Sequence, residues 1–188
     1  MGKIILVTGG ARSGKSSFAE AYAAKHGKNI AYIATAEIYD KEMKYRVALH
    51  KMRRPSSWKT YEAPYDAQQA LLQAADDGHD MILFDCLTLY LSNMLCRRAA
   101  ATELASQYAY VTERMEGLLQ AGKKIDSDIV MVTNEVGAGI VPENALAREY
   151  RDLSGLANQL VAREAAAVYL VVCGIPVNIK KIAENLEG

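Results

Sequence analysis

The chain of 188 residues has no surplus of charge: 22 lysines and arginines balance 22 aspartates and glutamates. That balance argues against a duplex-binding protein that works through bulk positive charge, so no nucleic-acid partner is expected. Long apolar runs are missing too. None approaches the roughly 20 residues a membrane helix needs, so no membrane partner is expected. Met1 to Thr8 run straight into a strand pattern, without the layout of a signal peptide. Cysteine is scarce: Cys86, Cys96 and Cys173 are too few and too scattered for a disulfide framework or a zinc site. They read as reduced core thiols of a cytoplasmic protein. Repeats, low-complexity segments and linkers are absent. At roughly 150 residues per domain, a single domain over residues 1–188 is expected.

What is present is an alternation of strand and helix patterns. Apolar runs at 4–7, 30–34, 81–84, 129–132 and 168–172 read as buried strands. Residues 58–61 and 177–179 are shorter candidates, the second an edge strand after a turn at Gly174-Ile175-Pro176. Helical spacing covers 16–25, 41–52, 66–75, 87–95, 102–120 and 143–166. Gly27 should cap the first helix, and Arg54-Pro55 should stop the second. The last helix should carry Leu146, Leu153, Leu156 and Leu160 on one face. Residues 96–101 have no determined pattern. Continuous apolar strands between helices predict an α/β fold, a mainly parallel sheet with helices on both faces. Such folds bind ligands at the carboxyl ends of the strands, so the residues following each strand are the candidates for chemistry.

After the first strand comes Gly9-Gly10-Ala11-Arg12-Ser13-Gly14-Lys15-Ser16, which matches G-x-x-x-x-G-K-[ST] in its required strand–loop–helix context. The glycines let backbone N–H groups close around phosphates, and the next helix adds the positive end of its dipole. Lys15 is placed to reach the β- and γ-phosphates, and the Ser16 hydroxyl to ligate Mg²⁺. The apolar run Met81-Ile82-Leu83-Phe84 ends in Asp85, the Walker B pattern, whose carboxylate belongs on the metal side. Together these features predict a nucleoside triphosphate site, without saying what is done with the nucleotide.

His50 follows Arg46 and precedes Lys51, Arg53 and Arg54. Cations on this scale suit a polyphosphate and favour the neutral, nucleophilic imidazole. Attack on an α-phosphate would form a phosphoramidate. The alternative is an exposed histidine on a solvated basic face. His26 and His79 read as surface residues. Residues 133–144, with Gly137, Gly139 and Pro142 beside polar Asn134 and Glu135, form a plausible active-site loop. Arg148, Arg151, Asp152, Asn158 and Gln159 follow it, as active-site groups or as helix ion pairs.

These residues resemble a known family. The phosphate loop, Tyr32-Ile33-Ala34-Thr35, Arg46 with His50, Arg54-Pro55 with Trp58, Asn134 to Pro142, and Arg148, Arg151, Asp152, Gly155, Asn158 and Gln159 carry the resemblance. It points to the bifunctional adenosylcobinamide kinase / adenosylcobinamide-phosphate guanylyltransferase family of cobalamin biosynthesis. It runs from residue 3 to about 180, but 96–128 carry no matching motif. It implies a RecA-like P-loop fold, a homotrimer, and ATP, GTP and Mg²⁺ as cofactors. It implies phosphorylation of the aminopropanol hydroxyl of adenosylcobinamide, followed by GMP transfer from GTP onto that phosphate. It further implies that His50 is guanylylated, with Lys15 beside it in catalysis. The nucleotide-contacting positions it implies are Gly9 to Ser16, Ala34, Thr35, Ala36, Lys51, Met52, Arg53, Arg54, Glu62 and Asp85. Two other readings stay open at this stage: a single-activity P-loop kinase for another small hydroxyl compound, and a nucleotide-switched regulatory ATPase.

Overall fold

The computed structural model describes residues 1–38, 40–97 and 104–184, without the side chains of Glu42, Arg46, His50, Arg53 and Leu104. In chain order the strands are β1 (Ile4–Thr8), β2 (Ile30–Ala34), β3 (Lys59–Glu62), β4 (Met81–Asp85), β5 (Asp128–Val132), β6 (Ala167–Val172) and β7 (Ile175–Asn178). The helices are α1 (Lys15–His26), α2 (Lys41–Arg53), α3 (Ala67–Asp76), α4 (Leu87–Arg97), α5 (Leu104–Lys123) and α6 (Ala145–Glu164). The undetermined stretch from Cys96, and the two residues before α5, fall partly outside the described residues.

The strands form one sheet in the order β3-β2-β4-β5-β1-β6-β7. Every neighbouring pair is parallel except β6 and β7. Alternation along β1 explains the layers. Ile4 and Leu6 face a core built with α3, α4, α5 and α6, through Leu71, Tyr90, Met115 and Leu153. Ile5 and Val7 face a second core with α1, where Ala19 and Ala23 present a small-residue stripe that lets the helix lie close to the sheet. The sheet is therefore covered on both faces, as the continuous apolar runs predict. Among the described residues α2 contributes nothing to either core.

Four expectations are corrected. Ile175 and Pro176 lie within β7, and the turn is Cys173-Gly174, with φ of 52° and 79°. Two left-handed residues suit a tight hairpin, and Pro176, lacking an N–H, is tolerated because β7 is an edge strand. Leu146 is 68% exposed, because it lies in the first turn of α6, ahead of the core-facing Leu153, Ala157 and Val161. Of the cysteines only Cys86 is buried; Cys96 and Cys173 are exposed. His79 is buried, since the turn before β4 is tied to the segments that precede β2 and β5 at the amino edge of the sheet. The Asp80 N–H donates to Asn29 O (3.0 Å), the Asp80 carboxylate accepts from the Lys28 and Asn29 N–H groups, and Ser127 Oγ donates to His79 O (2.7 Å). His26 is exposed, as expected.

Candidate active site

β5 lies between β1 and β4, so the loops after β1, β4 and β5 emerge side by side at the carboxyl edge. The loop after β1 is shaped by its backbone. Ser13 N–H donates to Gly10 O at 3.2 Å, and the Gly174 N–H of the β6–β7 turn donates to Ser13 O at 2.8 Å. Gly14 has φ of 95°, and a Cβ there would meet Gly174 Cα at 3.0 Å. A Cβ on Gly9 would stand 2.4 Å from Val171 O. Both glycines are thus required by close approach of the backbone. Lys15 is buried and donates from Nζ to Gly10 O at 3.1 Å. Burial pulls its ammonium below the ordinary lysine value, with Cys86 and then Asp85 acting in the opposite sense.

At the end of β4, Asp85 Oδ2 accepts a 2.6 Å hydrogen bond from Tyr32 Oη. Burial first, then the Asp85 carboxylate, hold the Tyr32 hydroxyl far above its ordinary value, so it stays a donor. The Arg54 guanidinium, just past α2, sits 3.4 Å from the centroid of the Tyr32 ring. Cys86, next to Asp85, is pushed up to about 12, mainly by burial. Thr35 turns its side chain inward, donating from Oγ1 to Cys86 O and accepting from Cys86 N–H, both at 2.7 Å.

α2 is tethered rather than packed. Asp40 caps it, accepting from Met43 N–H at 2.7 Å. At its far end Lys51 pairs with Glu62 on β3 at 3.0 Å, both exposed. Thus Lys51 faces a carboxylate and Arg54 an aromatic ring. The side chains of His50, Arg46 and Arg53 lie outside the described residues.

These elements enclose a cleft of about 1010 Å³, near the upper end for small-molecule sites. Of the sequence-expected positions, Ala11 to Ser16, Ala34, Ala36, Lys51, Arg54, Glu62 and Asp85 line it. Gly9, Gly10, Thr35 and Met52 do not; Thr35 is fully buried and Met52 is 74% exposed. Tyr32, Glu37, Ile38, Met43, Val47 and Leu89, which the sequence did not single out as nucleotide contacts, also line it, as does Asn134 of the expected active-site loop. A polar-tipped tyrosine inside an apolar strand was the signal available for Tyr32. Ser16 and Asp85 offer hard oxygen donors of the kind Mg²⁺ takes. Among the described residues no group of three or more His, Cys, Asp or Glu could hold a metal.

The comparisons agree with this geometry. A secretion-system ATPase of known structure, from a study of the type III secretion system of pathogenic bacteria, superposes with a TM-score of 0.55 at 13% identity. The match covers 100% of this chain and 60% of that one, and shows a shared fold. The bifunctional adenosylcobalamin biosynthesis protein CobU of Salmonella typhimurium is 41% identical over 94% of this chain and 99% of its own. CobU of Escherichia coli is 39% identical over 94% and 99%. CobP of Pseudomonas aeruginosa is 39% identical over 93% and 96%. The family model described as cobinamide kinase / cobinamide phosphate guanyltransferase matches residues 5–179, a span holding both the phosphate loop and His50, and the chain belongs to that family.

Proposed function

We propose that this chain is an adenosylcobinamide kinase and adenosylcobinamide-phosphate guanylyltransferase. It phosphorylates the hydroxyl of adenosylcobinamide with ATP or GTP, then transfers GMP from GTP to that phosphate, giving adenosylcobinamide-GDP and pyrophosphate. The observation that carries the reading is the family match over residues 5–179, joined to a cleft lined by Lys15, Ser16 and Asp85.

The chain's own groups divide the work. Backbone N–H groups of the loop and Lys15 hold the β- and γ-phosphates and stabilise the charge that develops on the leaving group. Ser16 and Asp85 would hold Mg²⁺, which supplies Lewis-acid neutralisation of phosphate charge. Tyr32 orients Asp85 through their 2.6 Å hydrogen bond. In the transfer step the His50 imidazole nitrogen forms a bond to the α-phosphorus as the bond to the α–β bridging oxygen breaks, releasing pyrophosphate. The acceptor phosphate then takes the GMP and frees His50. Lys51, Arg53 and Arg54 complete the electropositive wall; Ala34, Ala36 and Glu62 line the nucleotide site, Gly9 and Gly10 shape its loop, Thr35 braces Cys86 behind it, and Met52 would meet nucleotide only from outside the cleft. The reading extends to one P-loop domain over residues 1–188, a homotrimer, and work in the cytoplasm; no helix among the described residues is long and apolar enough to cross a membrane.

The test is direct. Purified protein incubated with adenosylcobinamide, GTP and Mg²⁺ yields first a phosphorylated and then a GDP-linked corrinoid by mass spectrometry. Nucleotide hydrolysis without either product would overturn the reading.

A further inference from the structure

Asn134 follows β5, between the phosphate loop and Asp85, in a segment the nucleotide chemistry above leaves without a role. Asn134 lines the cleft and is held by a ring of polar groups. The ring has one direction. The backbone carbonyl of Asn134 can only accept, so Asn158 turns its Nδ2 toward it, at 3.4 Å. That leaves Asn158 Oδ1 as the acceptor for Thr133 Oγ1, at 2.8 Å. Thr133 has thereby donated its only proton, so in the 3.4 Å contact between Thr88 and Thr133 the donor is Thr88. Thr88 Oγ1 is left with lone pairs alone. It accepts from the Asn134 backbone N–H at 2.8 Å and from Asn134 Nδ2 at 3.2 Å. Tyr150 Oη fixes the Thr88 end by donating to its carbonyl at 2.9 Å.

The consequence is an amide whose nitrogen faces Thr88 and whose oxygen faces away from it. One N–H of Nδ2 is held by Thr88, and Oδ1 has no partner among the described residues. Every member of the ring donates onward, and such chains polarise one another in the same sense. An unused carbonyl oxygen repels phosphate oxygens and attracts an O–H group. Lys15, the loop N–H groups and Ser16 already provide the donors and the metal ligand on the phosphate side.

We infer that Asn134 is a catalytic residue of the phosphoryl-transfer step, accepting through Oδ1 a hydrogen bond from the alcohol hydroxyl of the acceptor and aiming its oxygen at the γ-phosphorus. Thr88, Thr133 and Asn158 are positioning residues that act through it. The inference rests on the kinase half of the proposed function. In the step, the alcohol oxygen forms its bond to the γ-phosphorus as the bond to the β–γ bridging oxygen breaks. The nucleoside diphosphate leaves with that electron pair. The hydroxyl proton passes to an oxygen of the transferred phosphoryl group, since a carboxamide orients but does not take a proton. The second step has a phosphate as its acceptor and a histidine as its nucleophile, so it offers Oδ1 no hydroxyl.

The experiment compares Asn134→Ala, Asn134→Asp and Thr133→Val with the unmodified protein in two assays. One is adenosylcobinamide phosphorylation under saturating GTP; the other is covalent GMP labelling from [α-³²P]GTP. Asn134→Ala should lower kcat for phosphorylation by about 10²-fold, the scale of losing one transition-state hydrogen-bonding group. The loss should be at least about tenfold greater than in labelling, with the KM for GTP changed little. Asn134→Asp, which keeps an acceptor oxygen, should recover part of the rate. Thr133→Val, buried and away from the cleft surface, should give a smaller loss with the same selectivity. Equal losses in both assays, a rise in KM with kcat retained, or no loss would overturn the inference. An unmodified protein that phosphorylates no corrinoid would instead overturn the proposed function, so the two failures are distinguishable.

Discussion

The phosphate loop and α2 meet across one cleft but are built in opposite ways. The loop hangs from β1, the β-strand between β5 and β6, whose five residues are all buried. It is braced by the Cys173-Gly174 turn and closed on itself by Lys15. α2 has no described residue in either core, and is held by the Asp40 cap, the Lys51–Glu62 pair and Arg54 over Tyr32. The difference teaches a division of labour. Triphosphate binding needs fixed dipoles that do not reorganise during reaction. In the proposed function a nucleophile loaded by one substrate and unloaded by another would be carried on an element with few buried contacts, the kind of segment that opens at low cost.

The largest expected effect sharpens the contrast in stability. Phe84 is fully buried on β4, edge-on to Tyr90 at 5.8 Å between ring centroids, so Phe84→Ala should cost about 3–5 kcal/mol in denaturant melts. Met52→Ala on α2, at a site 74% exposed, should stay within about 0.5 kcal/mol. Comparable losses would break the comparison.

Next is thiol reactivity. Cys86, buried beside Asp85 and pushed up to about 12, carries almost no thiolate at pH 8. Exposed Cys96 and Cys173 should alkylate with iodoacetamide in the folded protein, and Cys86 only after denaturation. The sign is that of an acid group disfavoured in its charged form: raising the pH toward 12 would ionise Cys86 at the expense of the fold. Ready labelling of folded Cys86 at pH 8 would show that the loop side of the cleft is more open than its burial states.

The smallest of the three effects separates the two regions by function. Lys15→Ala should lower both phosphoryl transfer and GMP transfer by about 10²-fold, because both reactions use the loop. Changes confined to α2 should act on GMP transfer more than on phosphorylation. A Lys15→Ala protein that keeps either activity intact would take the loop out of that reaction.

The sequence made legible what is local. Apolar runs marked the strands because parallel strands covered on both faces have no polar side, and 30–34 matches β2 residue for residue. The phosphate loop and Asp85 were legible because motif and strand are contiguous. Strand order was not, since nothing in β1 names β5 as its neighbour. The turn at Cys173 was missed because a left-handed cysteine leaves no compositional trace. The burial of His79 is illegible because a polar turn motif does not reveal that it is tied to the segments before β2 and β5. The partners of Tyr32 and Asn134 were illegible for the same reason: they are 53 and 46 residues away, and contacts of that range exist only in the folded sheet. For His50, Arg46 and Arg53 the sequence remains the guide, through the basic cluster and the family resemblance.

In the proposed function α2 carries the nucleophile to nucleotide held by the loop. Incubation with [α-³²P]GTP and Mg²⁺, followed by peptide mapping, tests that most directly. The label should be acid-labile and base-stable, lie in the peptide spanning α2, map to His50, and be lost in His50→Ala while phosphorylation of adenosylcobinamide persists. Label on His26, His79 or a lysine, or GMP transfer that proceeds with no labelled protein, would contradict it.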